Sequence, residues 1–127
     1  MTREFINPTN VHQPAGAYHH AVKVGNTIYT SGQVALDVEG NLVGKGDLPR
    51  QFEQAFENLK RVLEAAGATM ADVVQMTFYV TDYSKMADIG DVWVKYLGPT
   101  FPPALAVEVA RLQDDFMVEV IATAVVD

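Results

Sequence analysis

There is no cysteine among the 127 residues, so disulfides and thiolate chemistry are excluded. A cysteine-free chain fits a reducing compartment, and a cytoplasmic location is expected. No apolar run is long enough to cross a bilayer, and the opening MTREFINPTN lacks the apolar segment of a signal peptide. Basic charge is scarce: nine Lys and Arg against sixteen Asp and Glu leave a net charge of −7. The basic residues are scattered, with no Lys/Arg stripe carrying interleaved aromatics. Since binding to a phosphate backbone depends on clustered cations, this argues against a nucleic-acid partner. Repeats, low-complexity segments and long linkers are missing as well.

What is present is a chain of one-domain length, 49% hydrophobic, able to build a full core; residues 1–127 are read as a single domain. Residues 1–17 look irregular, with Asn7-Pro8 and Pro14-Ala15-Gly16 as breakers. His20–Val24 and Thr27–Thr30 flank Gly25-Asn26 and read as a tight hairpin. Ser31-Gly32-Gln33 follows, and a glycine at a strand end suggests a bulge or a close backbone approach; Val34–Asp37 could extend the strand. Asp47–Ala66 is the clearest helix. Phe52, Ala55, Phe56, Leu59, Val62, Leu63 and Ala66 mark its apolar stripe, with Asp47 as N-cap, Pro49 in the first turn and Gly67 just past the end. Val73–Val80 alternates, placing Val74, Met76, Phe78 and Val80 on one face. A second helix over about Lys85–Leu97 carries Met86, Ile89, Trp93, Tyr96 and Leu97. Gly90 inside it costs about 1 kcal/mol against alanine, which points to a packing or site reason.

The last quarter reads as two apolar strands, Ala104–Leu112 and Met117–Val126, after Phe101-Pro102-Pro103. Paired as a hairpin over a four-residue loop, they set Leu112 opposite Met117 and Ala110 opposite Glu119. Glu108, Ala110, Glu119 and Ile121 then share one face, and Val107, Val109, Val118, Val120, Ala122 and Ala124 the other. Two acids in so apolar a stretch are costly unless solvated, hydrogen-bonded or functional.

Two amphipathic helices and one sheet are most economically packed with both helices on one sheet face. The other face keeps Thr77, Tyr79, Ile121 and Val125, and a face neither polar nor covered within the chain usually meets another subunit. A homo-oligomer is expected.

Tyr18, Thr30-Ser31-Gly32-Gln33, Glu57-Asn58-Leu59 with Ala65-Ala66-Gly67-Ala68, Val80-Thr81-Asp82, Val107-Glu108-Val109-Ala110-Arg111-Leu112 and Val118-Glu119-Val120 resemble the YjgF/RidA (reactive intermediate deaminase) family, also labelled L-PSP endoribonucleases. The resemblance implies an α+β, chorismate-mutase-like domain: a mixed sheet with two helices on one face, assembled as a homotrimer with small-molecule clefts between subunits. It further implies hydrolysis of 2-imino or enamino acids to 2-oxo acids and ammonia, without metal or organic cofactor. In family members of that activity an arginine clamps the substrate carboxylate, a task suited to a bidentate guanidinium. Here Ala104 stands at the arginine position, Ala106 where cysteine is usual, Gly90 where asparagine is frequent and Ile121 where a second acid often follows the glutamate. Tyr18, Ser31, Gly32 and Glu119 match.

Glu119 is therefore the candidate catalytic residue, orienting a water or accepting its proton; its bland reading is a carboxylate bonded at an interface. Tyr18, Ser31, Gly32, Gly90, Ala104 and Ala106 are candidates for binding substrate. Tyr18 could equally be a loop aromatic, Ser31-Gly32 a strand-end bulge and Glu108 a structural ion-pair partner. Trp93 fits core packing or the cleft wall. His19 and His20, adjacent on a strand, point to opposite faces and find no third ligand, so no metal is expected. Small and apolar replacements make the cleft larger, drier and less cationic, suiting an uncharged or weakly polar ligand. Three functions follow: an enzyme acting on an enamine or imine by hydrolysis or tautomerisation, a non-catalytic small-molecule binding trimer, and an endoribonuclease. The acidic charge and the lack of a histidine pair on one face argue against the last.

Overall fold

In the computed structural model residues 2–127 are described; Met1, within the stretch read as irregular, lies outside them. Eight principal elements follow one another: β1 (Arg3–Ile6), β2 (Ala21–Val24), β3 (Thr27–Thr30), α1 (Leu48–Ala65), β4 (Val73–Val80), α2 (Gly90–Leu97), β5 (Ala104–Glu108) and β6 (Val118–Val125). Short 3₁₀ turns at Met70–Asp72 and Tyr83–Ile89 precede β4 and α2. The strands form one mixed sheet in the order β1-β2-β3-β6-β4-β5. The family-implied α+β architecture is what the structure has.

The β2–β3 hairpin closes on Gly25-Asn26, with Val24 opposite Thr27. Gly25 has φ 61°, as the first position of a two-residue hairpin loop requires. β1 was not foreseen: a four-residue segment, mostly exposed, that pairs with β2 from Arg3↔Val24 to Ile6↔Ala21. Val34–Asp37 does not extend β3; it makes only an isolated bridge, Leu36↔Leu42.

α1 begins where expected. The Asp47 side chain accepts the Arg50 N–H and Pro49 sits in the first turn. Phe52, Ala55, Phe56, Leu59, Val62 and Leu63 are fully buried against Ile28, Phe78, Val80, Val118, Val120 and Ala124. Each large side chain removed from water here contributes about 2–3 kcal/mol, before the conformational entropy it offsets. Trp93 packs on this core, its ring centroid 5.2 Å from that of Phe78 and 6.5 Å from that of Phe56. Gly90 does not sit in mid-helix: it marks the passage from the 3₁₀ turn to α2, and a Cβ there would meet open space. No packing reason demands glycine at that position.

The C-terminal hairpin is the main correction. β5 pairs in parallel with β4 (Met76↔Ala104 to Val80↔Glu108), while β6 pairs antiparallel with β4 on its other side and with β3. β4 thus lies between the two strands that look like neighbours. β6 and β4 both have eight residues, so their ladder runs the length of both. The five-residue β5 is largely exposed and takes the edge, reached through the α2 crossover that parallel neighbours need. In this register Glu108 and Glu119 fall on opposite faces. Glu108 shares its row with buried Val80 and Val118, on the helix side, and its Oε1 accepts the Tyr83 N–H at 2.9 Å. Its part is structural, through a backbone hydrogen bond and not an ion pair. β4 carries a second surprise: its register shifts between Val73 and Gln75, which buries Val73 and turns Val74 outward.

Candidate functional site

Both helices cover the face that carries Ile28, Phe78, Val118 and Val120. The open face carries the alternate residues, among them Tyr29, Tyr79, Leu105, Ile121 and Val125, all among the exposed large hydrophobics. Glu119 lies on this open face, opposite Tyr79, which is in turn opposite Val107.

What places a charge there is the end of β3. Tyr29 pairs with Thr123, but the next pairing is Gln33 with Val120. Four steps on one strand match three on the other, which defines a β-bulge over Thr30–Gly32. The bulge is held on both sides. The Thr30 Oγ1 accepts the Ala122 N–H at 3.0 Å, and Gln33 exchanges backbone hydrogen bonds with Val120 at 2.7 and 2.9 Å. It brings Gly32 directly against Glu119. A Cβ built on Gly32 would stand 2.6 Å from Cδ and 2.8 Å from Cγ of Glu119. Glycine leaves this space to the Glu119 side chain, which any larger residue would push aside, and the close approach read from the sequence is real.

Glu119 is about half-buried, and burial alone raises its pKa above the ordinary carboxylate value. Desolvation disfavours the charged form, and no salt bridge offsets it among the described residues. Ser31 precedes Gly32 in sequence, with its hydroxyl donating to the His20 carbonyl at 3.2 Å and its N–H to the same oxygen at 2.9 Å. No base contacts that hydroxyl among the described residues. Tyr18 is 44% exposed, and its hydroxyl accepts the Ala15 N–H at 3.3 Å, anchoring its own loop.

The remaining candidates are elsewhere. Ala104 and Ala106 share rows with Met76 and Phe78, on the helix side of edge strand β5. Gly90 opens α2 on that side, after the 3₁₀ turn that touches β5. One chain therefore unites Ser31, Gly32 and Glu119, and holds Gly90, Ala104 and Ala106 across the sheet from them. Two hollows open on the uncovered face, one of about 300 Å³ between Phe5, Tyr29 and Ser31, the other of about 190 Å³ between Thr77, Ile121 and Thr123. A groove of about 400 Å³ between α1 and α2, lined by Glu57, Lys60 and Tyr96, is remote from Glu119.

A buried polar cluster behind the bulge escaped the sequence reading. The His20 Nε2 donates to the His12 carbonyl at 2.7 Å, and its Nδ1 accepts from Gln33 Nε2 at 3.1 Å. With the Gln33 amide in this orientation the His20 ring carries a proton on Nε2. His12 and His20 meet edge to face at 5.0 Å, both buried. So two histidines do share a site, against expectation, but inside the wrap of the N-terminal segment, where burial and His20 hold the pKa of His12 below its usual value. His19 is exposed and bonds Asn7 instead. One signal was available: a two-residue β2–β3 loop sets His20 opposite Ser31, and so beside Gln33. Among the described residues, no group of three or more His, Asp or Glu could hold a metal, and no helix is long and apolar enough to cross a membrane.

Such an arrangement, a lone half-buried acid on the open face of a mixed sheet backed by helices, belongs to a small α+β protein. The chain belongs to the YjgF/RidA family: the family model described as Endoribonuclease L-PSP matches residues 9–126. A RutC family protein of Pyrococcus abyssi is 40% identical over 124 residues, covering 98% of each chain. A 2-iminobutanoate/2-iminopropanoate deaminase of Dermatophagoides farinae is 37% identical over 115 residues, 91% of this chain and 90% of that one. Among solved structures, RidA from a Psychrobacter species superposes with TM-score 0.90 at 37% identity, over 97% and 99% of the two chains. TdcF of E. coli with bound serine gives 0.89 at 30% identity, over 98% and 99%.

Proposed function

We propose that the protein is an enzyme of reactive nitrogen intermediates, hydrolysing or tautomerising an enamine or imine in a cleft between subunits, with Glu119 activating the water. The carrying observation is the half-buried Glu119 carboxylate, unpaired and set against Gly32. An acid whose pKa is raised by desolvation is a better base toward water than a solvated one. Relatives named 2-iminobutanoate/2-iminopropanoate deaminase support the reaction class. Support for the intersubunit cleft comes from the division of the candidates: Ser31, Gly32 and Glu119 open on one side of the sheet, Gly90, Ala104 and Ala106 on the other. A second copy, docked by its β5 edge, joins the two sets, with Tyr18 at the rim. The reading places the enzyme in the cytoplasm and needs neither metal nor organic cofactor.

The small side chains at Ala104 and Ala106 favour one other reading, a trimer that binds an apolar metabolite without turning it over. The test is ammonia release from freshly generated 2-imino acids and simple imines by wild type, Glu119→Ala and Ala104→Arg. Turnover in wild type that is lost in Glu119→Ala supports the enzyme. Silence in all three, with ligand still bound, supports the binding trimer.

A further inference from the structure

We propose that this cleft selects imines lacking a free carboxylate, bound as iminium cations, and so acts on products of amine oxidation rather than amino-acid oxidation; this rests on the hydrolase reading above. The observation is electrostatic. Strands β3, β4, β5 and β6, residues 27–30, 73–80, 104–108 and 118–125, contain no lysine and no arginine. Their only charged residues are Glu108 and Glu119, and Glu108 points to the helix side, where it accepts the Tyr83 N–H. Across these four strands Glu119 is the sole charge on the open face, among Tyr79, Val107, Thr77 and Ile121.

Of the nine lysines and arginines, Arg3, Lys60, Lys85 and Arg111 lie outside these four strands, and the other five are engaged elsewhere. Lys23 donates to the Ala66 carbonyl. Lys45 pairs with Asp115, Arg50 and Lys95 with Glu53, and Arg61 with Glu57. A ligand carboxylate brought within ~5 Å of Glu119 meets uncompensated repulsion, worth roughly a hundredfold in binding in a partly desolvated setting. A cation in the same place gains about as much. An iminium group is such a cation and carries its own electrophilic carbon.

The step balances on Glu119 and one water. The carboxylate takes a proton from water as the oxygen adds to the iminium carbon, and the C=N π pair moves to nitrogen. Glu119 returns its proton to that nitrogen. The C–N bond then breaks while the hydroxyl proton passes through the carboxylate to the departing ammonia. In sum, iminium plus water gives a carbonyl compound plus ammonium. The supplying reaction is a two-electron oxidation of a primary amine, and the consuming one acts on an aldehyde or ketone.

The test uses a matched pair of imines, one made in situ from butylamine by a flavin amine oxidase, the other from norvaline by an amino-acid oxidase. Ammonia release above the spontaneous rate is followed with the full chain in its native assembly. The expected result is kcat/KM at least about tenfold higher for the butylamine-derived imine. The preference reverses in Ala104→Arg, which adds a cation from the β5 side. Faster turnover of the norvaline-derived imine by wild type overturns this proposal and leaves the hydrolase reading intact. Acceleration of neither imine overturns both.

Discussion

At the scale of single residues, Glu119 and Gly32 form one unit. Glu119 binds its proton more tightly in the fold than in the unfolded chain, because burial raises its pKa. Between the two values the native state holds more protons, so stability falls as pH rises through that window and stays lower above it. Glu119→Gln removes the dependence. The variant is expected to melt roughly 1–3 °C above wild type near neutral pH and level with it well below the ordinary carboxylate pKa, where the carboxyl is protonated in both states; scanning calorimetry at both pH values checks this. Gly32→Ala acts in the opposite sense. Its Cβ displaces the flexible end of Glu119 and leaves the backbone in place, so activity is expected to drop by about a hundredfold with little change in melting temperature. Both residues were legible, Gly32 as a strand-end glycine and Glu119 as an acid in an apolar run. The pairing of His20 with Gln33 was not. Nothing local marks a histidine that spends both ring nitrogens inside the fold, and only the hairpin register puts it beside the bulge.

At the scale of elements, α1 was readable nearly to its last residue, because its stripe, cap and stop agree. Two of its buried residues, Gln51 and Asn58, are polar and tie segments that no periodicity connects. Gln51 donates to the Gly44 and Asp115 carbonyls and accepts the Met117 N–H; Asn58 donates to the Val34 and Leu36 carbonyls. Gln51 thereby fixes where β6 begins. Gln51→Leu keeps the volume but strands three backbone groups, and is expected to cost about 2–3 kcal/mol, read from the urea midpoint at unchanged slope. The same connections explain why the C-terminal hairpin misled. Apolar alternation tells which face of a strand is buried and says nothing of its neighbour. Val118–Val125 fits beside β4 as well as beside β5, and only packing under α1 decides. In β4 the bulge shifts the alternation by one residue, so Val74 matched the right period on the wrong face.

For the whole molecule, the open sheet face is the outstanding feature. Tyr29 is 50% exposed and Leu105 60%, with Ile121 and Val125 beside them on the same face, more apolar surface than a monomer comfortably leaves in water. The chain is expected to assemble through it, with a solution mass about threefold the 13.9 kDa of one copy. Ile121→Lys, which puts a charge at the middle of that face without touching the core, is expected to shift the mass toward monomer in light scattering and to abolish turnover with it. A monomeric wild type would remove the intersubunit cleft from the account.

The central claim is that Glu119 does the chemistry, and the most direct measurement is the pH dependence of kcat/KM for ammonia release from the preferred imine, in wild type and Glu119→Gln side by side. The account predicts a wild-type rate that rises with pH through a pKa above the ordinary carboxylate range, and a variant slower by about two orders of magnitude in which that rise is gone. A Glu119→Gln protein with wild-type rate and an unchanged profile would contradict it.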